Sequence, residues 1–243
     1  MQKFAKFIIL VLVCFLFLGL GCKKQEETAP TEVTQPENTT PKNVLDLDGA
    51  EALSTSKKNL ITAKSTTKYW SGNTRFVALN IQVGENLSII DTSQVFIFYS
   101  PGNHPIQKYY YWMASFNNEG KYLRGMLHKE DYLKDLGTNP KAIVLSKWKN
   151  SWVDALKKAE LAGGKEFQTK HENDTKISMS LRTDIATNSL IWQINYQQLS
   201  AQDSLDIIVD AETGEASGET TSGTTENQES VETPTAEETT TAE

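Results

Sequence analysis

The chain has 243 residues and a net charge of −7, from 24 Lys and Arg against 31 Asp and Glu. Eight of the acidic residues are Glu in the C-terminal segment 215–243, which has no Lys or Arg, so the remaining 23 acidic residues nearly balance the basic ones. A neutral body argues against nucleic-acid binding, which needs a basic patch. The acidity indicates a solvated terminal segment and not an acidic site.

The first 21 residues have the pattern of a bacterial lipoprotein signal peptide. Lys3 and Lys6 form a positive start, and an apolar run over 7–20 follows. At 1.5 Å per residue the run spans about 21 Å, too short for the roughly 30 Å hydrocarbon core of a membrane. The segment 18–22 then resembles a lipobox, although Gly19 stands where Leu is usual. We therefore expect cleavage before Cys22 and attachment of lipid to this residue.

Only two cysteines occur in the chain, and Cys14 lies inside the predicted signal. Cys22 would thus be the only thiol of the mature protein, which excludes a disulfide framework, a cysteine nucleophile and a cysteine-based zinc site. The predicted location is the cell envelope, on the extracytoplasmic side of a membrane. Lys23 follows the cysteine in place of the Asp that favours inner-membrane retention, so in a Gram-negative host we expect the outer membrane.

Two polar segments flank the body of the chain. Residues 22–44 are rich in Lys, Glu, Gln, Thr and Pro and predict a disordered tether, because they hold too little apolar surface to offset chain entropy. Residues 216–243 consist largely of Thr, Glu, Ser and Gly and predict a disordered acidic tail.

The segment 45–139 predicts a first α+β unit. Asp48 and Glu51 form a capping-box pattern at the start of a helix that ends near Gly72. Alternating apolar residues and tight turns then predict an antiparallel meander, and a short helix should end at Gly137. The predicted strands cover 75–83, 94–100, 106–116 and 121–127, and in the first of them Val77, Leu79, Ile81 and Val83 should share one side.

The segment 140–215 predicts a second unit of the same kind. Residues 143–145 should pack against the body, and Ser151 with Asp154 begins a helix that Gly163 and Gly164 should end. Strands are predicted at 176–182, 190–197 and 204–210, and Gly214 closes the last turn. The body is therefore predicted to be α+β, with a helix packed on an antiparallel sheet in each of two units.

The second unit resembles a PepSY-type domain. The similarity rests on the runs Ser-Trp-Val-Asp-Ala-Leu at 151–156, Trp-Gln-Ile at 192–194 and Ile-Ile-Val-Asp-Ala-Glu-Thr-Gly-Glu at 207–215, with Phe167 between them. The first unit is similar more loosely, through Tyr69 and Trp70 at its helix end. This resemblance implies two PepSY- or cystatin-like units in tandem. It also implies an extracytoplasmic binding or inhibitory module that regulates a peptidase partner, and no catalytic residues.

Residue types that carry chemistry do not form a recognisable constellation. No phosphate-binding glycine loop and no Gly-x-Ser-x-Gly nucleophile motif occurs. We expect the histidines to be ordinary surface residues, and the acidic cluster to be a solvated strand end and not a weak calcium site. We also expect no metal, no cofactor and no enzyme activity. The residues concerned are His104, His128 and His171, and the acidic cluster Asp203, Asp206, Asp210, Glu212 and Glu215.

The aromatic strand allows two interpretations. Its alternation places half of its side chains on the core side of the sheet and half on the other side. Either the second half is covered, or Tyr109 and Tyr111 line a concave binding face with Tyr99, which would be a partner site.

Three functions fit these observations. The first is a membrane-anchored, non-catalytic binding or inhibitory module that has an envelope protein or a peptidase as partner. The second is a structural envelope lipoprotein in which the tether and the tail are spacers. The third is a hydrolase without a recognisable motif.

Overall fold

The computed structural model of the protein describes residues 43–101, 110–129, 136, 139–171, 174–200 and 203–221. The predicted signal peptide with Cys22, most of the predicted tether, the tail beyond 221, His104 and Tyr109 lie outside the described residues. The short helix predicted within 129–139 also lies almost entirely outside them.

The described chain contains three α-helices and eight strands. The helices are α1 (Gly49–Thr66), α2 (Trp152–Ala159) and α3 (Lys165–Lys170). All eight strands form one antiparallel sheet in the order β4-β3-β2-β1-β5-β6-β7-β8. The strands are β1 (Arg75–Gln82), β2 (Ser93–Tyr99), β3 (Tyr111–Phe116), β4 (Tyr122–His128), β5 (Thr175–Thr183), β6 (Leu190–Gln198), β7 (Ser204–Asp210) and β8 (Ala216–Thr221).

The order of the strands is that of two meanders joined at their first strands. The first half of the body contains α1 and β1–β4, and the second half contains α2, α3 and β5–β8. β1 pairs with β5, from Ala78 opposite Arg182 to Gln82 opposite Ser178, so the two halves share one sheet. The predicted α+β fold with helices packed on an antiparallel sheet is confirmed.

A single large hydrophobic core lies between the helices and the sheet and extends through both halves. The Trp148 ring contacts Phe76 of the first half at 6.2 Å and Trp192 of the second half at 6.5 Å, measured between ring centroids. Trp148 and Trp192 are both almost fully buried. Because the same aromatic cluster serves both halves, their folding is expected to be cooperative.

Local sequence signals account for the start of both long helices. The Asp48 carboxylate accepts a hydrogen bond from the Glu51 N–H at 2.8 Å and caps α1. At α2 the capping box is complete, because Ser151 Oγ accepts from the Asp154 N–H and Asp154 Oδ2 accepts from the Ser151 N–H. Each cap satisfies N–H groups that have no partner within the helix.

The predicted end of the helix near Gly163 and Gly164 is confirmed in part. α2 ends at Ala159, and after the π-turn Glu160–Gly164, in which Gly163 leaves the helical conformation, a second short helix, α3, begins directly at Lys165. Gly163 has a φ of 123°, a conformation that favours glycine. Helical hydrogen bonding resumes after it, and Phe167 packs into the core.

Four further expectations require correction. Val44, assigned to the tether, is fully buried, and Asn43 pairs with Ser88. Val144 and Leu145 are about half exposed, and only Ile143 of that segment packs inside. Residues 216–221, assigned to the tail, form the edge strand β8, because backbone pairing with β7 does not depend on apolar side chains. Val77 was predicted on the same side of β1 as Leu79 and Ile81, but a bulge between Phe76 and Ala78 places it on the other side.

Candidate functional site

One face of the sheet is not covered by the helices that the structure describes, and uncharged polar side chains occupy its centre. These side chains belong to the three adjacent strands β1, β5 and β6, and all are half-buried. We call this set the polar face, and it consists of Asn80, Gln82, Ser178, Ser180, Gln193 and Asn195.

Strand register brings the six residues into two rows across the sheet. Asn80 lies opposite Ser180, which lies opposite Gln193. In the next row on this side, Gln82 lies opposite Ser178, which lies opposite Asn195. Directly opposed side chains on one face of antiparallel strands are close enough to interact, so each row forms a continuous polar strip.

Hydrogen bonds hold part of the polar face in place. Ser180 Oγ donates to Asn80 Oδ1 at 2.9 Å, and this bond links the two halves of the body. Gln82 Nε2 donates to the Ile177 carbonyl at 2.9 Å. Asn195 Nδ2 donates to Asp206 Oδ1 at 3.1 Å. The anchored amides keep further donor and acceptor groups that face the solvent.

The polar face forms the floor of a depression of about 610 Å³. Arg182 and Asp206 are the charged residues in its lining. On the side of β2 the lining becomes apolar, with Val95, Ile97 and Leu136. A site of this size with fixed amides and hydroxyls suits a neutral ligand rich in hydrogen-bonding groups, such as a glycan or an extended peptide backbone.

The predicted aromatic binding strip is not found at the two tyrosines that the structure describes. Tyr111 is fully buried and Tyr99 is 7% exposed. Their rings pack at 5.3 Å, in a small second core that includes Ile97. The correction has a physical reason: large aromatic rings on this side of β2 and β3 bury apolar area against each other and against Leu136.

The histidines that the structure describes are far apart in the fold. His128 ends the edge strand β4, and partial burial together with the nearby Arg124 guanidinium lowers its pKa. His171 ends α3 and packs its ring on Phe167 at 4.4 Å. In the described part of the chain, no group of three or more His, Cys, Asp or Glu side chains is placed to hold a metal ion.

The acidic cluster expected near the last strands is spread over separate local contacts. Asp210 Oδ1 accepts hydrogen bonds from the N–H groups of Glu212 and Thr213 and so shapes the turn after β7. Glu212 pairs with Lys149 at 2.8 Å, and Asp203 pairs with Lys170 at 3.2 Å. These carboxylates therefore act on turns and surface pairs.

A half-buried acidic group, Glu160, occurs at the helix break, where no sequence motif pointed to it. Glu160 accepts hydrogen bonds from Tyr196 Oη at 2.7 Å and from Gln168 Nε2 at 2.8 Å. Burial raises the pKa of Glu160, and the two hydrogen bonds and Lys165 oppose that shift. Burial also raises the pKa of Tyr196, with a further contribution from the Glu160 charge. The group ties the π-turn to β6.

The polar face itself could not be recognised along the sequence. Alternation does place Gln193 and Asn195 on the side of β6 away from the core. The neighbouring amides of β1 come from more than 100 residues earlier in the chain, and only the β1–β5 pairing brings them together. Pairing of strands from different halves leaves no local signal.

No family model matches the chain, and no curated protein matches it in sequence. The resemblance to PepSY-type domains therefore stays a prediction. Among solved structures, the chain is similar to the crystal structure of a candidate lipoprotein from Clostridium difficile 630. The two are 15% identical, the match covers 73% of this chain and 99% of that chain, and the TM-score is 0.43. A likeness at this level carries no argument about fold or function.

Within the described residues, no helix is both long enough and apolar enough to cross a bilayer.

Proposed function

We propose that the protein is a lipid-anchored, non-catalytic binding module of the cell envelope, and that the polar face is its binding surface. The observation that carries the proposal is the block of six neutral amide and hydroxyl side chains on β1, β5 and β6, held in a depression. A sheet face that only contacts solvent does not need to consist of neutral amides and hydroxyls, because charged residues such as Lys and Glu are solvated equally well there.

The anchor in this proposal is lipid on Cys22, at the end of the predicted signal peptide. It places the module on the extracytoplasmic side of a membrane, and in a Gram-negative host on the outer membrane. Cys22→Ala should block processing or move the protein from the membrane fraction to the soluble fraction. Unchanged membrane fractionation of the variant would rule out this anchor.

The ligand class follows from the chemistry of the face. Neutral amides and hydroxyls donate to and accept from hydroxyl groups or peptide groups without a charged counterpart. We favour an envelope protein with an extended segment, such as a peptidase whose activity the module regulates. An envelope glycan would use the same groups and is the other outcome of the test.

A photo-cross-linking amino acid at Gln193 tests the binding surface in cells that express the full chain. The matched control position is Ser146, which is exposed on a different part of the body. We expect specific adducts from Gln193 and none from Ser146. The adducts should disappear when Ser180→Lys and Asn195→Lys are added, because two charges would disrupt the neutral strip.

The nature of the adduct decides between the alternatives. A peptidase in the adduct, with altered activity after removal of the module, would support a regulatory role. Absence of any adduct from Gln193 would leave the structural envelope role, which deletion of residues 222–243 would then test. Turnover of the cross-linked ligand by the purified protein would favour a hydrolase.

We also propose that the two halves are diverged copies of one PepSY-like unit. The proposal is supported by the repeated order of helix and four-strand meander and by the mirrored strand order about the β1–β5 pair. Superposition of α1 and β1–β4 on α2 and β5–β8 tests it. Helices that cross the strands in clearly different directions in the two halves would count against duplication.

A further inference from the structure

We propose that the exposed side of α1 is a second membrane contact, which binds an anionic lipid surface. This surface, the basic helix face, consists of Lys57, Lys58, Ile61 and Lys64 on α1 and of Lys68 and Tyr69 in the turn that directly follows it. The inference rests on the proposed lipid anchor for closeness to a membrane, and it adds an orientation that the anchor alone does not define.

The charge of this region is positive without interruption. Residues 52–84 include four lysines and Arg75 and no Asp or Glu. Lys57 and Lys64 fall on one stripe of α1, because their spacing of seven residues is close to two full turns, and Lys68 follows in the 3-10 turn Thr67–Tyr69. All four lysines are exposed, and none of them forms an ion pair with a described carboxylate. Their charge is therefore available to an external anion.

Two large apolar side chains project from the same surface. Ile61 is 72% exposed and lies in the stripe between Lys57 and Lys64, and Tyr69 is 93% exposed just beyond the helix end. Single exposed apolar residues are common on protein surfaces. Here an aliphatic and an aromatic side chain stand among unpaired lysines, which is the composition of helices that lie in a membrane interface.

The position of α1 in the chain favours a membrane over an acidic protein as the occupant. The helix begins at Gly49, 27 residues after Cys22, and a chain of this length can span at most about 97 Å when extended. A lipid-anchored chain would keep α1 within that distance of the bilayer at all times. Each lysine close to an anionic surface then adds to the attraction.

This contact would define which way the binding module faces. α1 packs on one face of the sheet and the polar face lies on the other. Docking of the basic helix face on the lipid therefore turns the polar face away from the membrane, toward the components of the envelope.

The experiment uses the chain 22–243, in which Cys22 is the only cysteine, coupled to a maleimide phospholipid in vesicles. Coupling supplies an anchor whether or not the cell attaches lipid there, so failure of the predicted anchor does not affect the result. The vesicles contain phosphatidylcholine alone, or phosphatidylcholine with one-quarter phosphatidylglycerol. The rate of lysine acetylation is measured by mass spectrometry, with exposed Lys176, on the opposite side of the sheet, as internal control.

We expect acetylation of the four lysines to be at least about threefold slower on anionic than on neutral vesicles, with Lys176 unchanged. The protection should disappear in 1 M salt, where charges are screened within about 3 Å. Ile61→Ser with Tyr69→Ser should weaken it while leaving the unfolding transition in place. Equal rates on both vesicle types would overturn the proposal. A second result would also overturn it: acetylation of the four lysines that is already slow on neutral vesicles and becomes faster in a chain ending at Thr221. The acidic C-terminal segment would then be the occupant of the basic helix face.

Discussion

Gly164 lies against the hydroxyl of Tyr196, with no room for a side chain. A Cβ atom at this position would be 2.3 Å from Tyr196 Oη, whereas a Cβ atom at Gly72 would meet nothing within 4 Å. We expect Gly164→Ala to lower the free energy of unfolding by about 1–3 kcal/mol, because the packed tyrosine would have to move. Urea denaturation measures this loss. Gly72→Ala is the matched control and should have an effect close to zero, and equal effects of both changes would contradict the packing argument.

Glu160 should give the protein a pH dependence of characteristic sign. Because its pKa in the folded state is raised, mainly by burial, the folded protein holds this proton more tightly than the unfolded chain does. The contribution of Glu160 to the free energy of unfolding is therefore favourable at low pH. It is lost as the pH rises from about 4.3, the ordinary pKa of glutamate, through the raised pKa of the folded state. Glu160→Gln removes the titration and can still accept from Tyr196.

The measurement is the difference in unfolding free energy between Glu160→Gln and the unchanged protein at several pH values. The variant should gain relative stability as the pH rises from 4 to 8. Use of the difference cancels the opposite contributions of Asp174 and Asp184, whose lowered pKa values make them stabilising above the acid range. A difference that does not change with pH would show that Glu160 is as well solvated in the folded protein as in the unfolded chain.

At the scale of elements, the two helix caps differ in burial and should differ in energetic importance. Ser151 is fully buried and both accepts from the Asp154 N–H and donates to the Asp154 carboxylate. Asp48 is exposed and accepts one hydrogen bond at the start of α1. We expect Ser151→Ala to cost about 1–2 kcal/mol of stability and Asp48→Ala about 0.5–1 kcal/mol.

Chemical denaturation of both variants tests this ranking. Ser54→Ala serves as control, since Ser54 is exposed inside α1 and alanine has the higher helix propensity there. A larger loss for Asp48→Ala than for Ser151→Ala would contradict the view that burial of the cap determines its contribution.

For the whole molecule, β8 is the last strand in the described part of the chain. It pairs with β7 from Ser204 opposite Thr221 to Val209 opposite Ala216, and Gly218 lies close to Ile207. A chain that ends at Glu215 should lose on the order of 2 kcal/mol, because β7 becomes an unpaired edge. A chain that ends at Thr221 should be as stable as the full chain. Thermal unfolding of the two truncated proteins distinguishes the strand from a tail, and equal stability of both would show that β8 adds nothing.

The sequence by itself determined the local features of this protein, and it did so with considerable detail. The N-caps at Asp48 and Ser151, the approximate bounds of seven strands and the buried side of most of them follow from periodicity and capping, which act between residues close in the chain. The likeness of the two halves is also visible as a repeated pattern. These features are set by hydrogen bonds and burial within single elements.

Only the tertiary structure decided the features that depend on contacts between distant segments. Pairing of β1 with β5 makes one sheet of the two halves and assembles the polar face from both. Packing of Tyr99 on Tyr111 covers the expected aromatic strip, and Tyr196 packs against Gly164 at the helix break. β8 pairs with β7 although it comes from a segment with almost no apolar residues. Each outcome depends on which surfaces meet, and the free energy of such contacts has no counterpart in local sequence pattern.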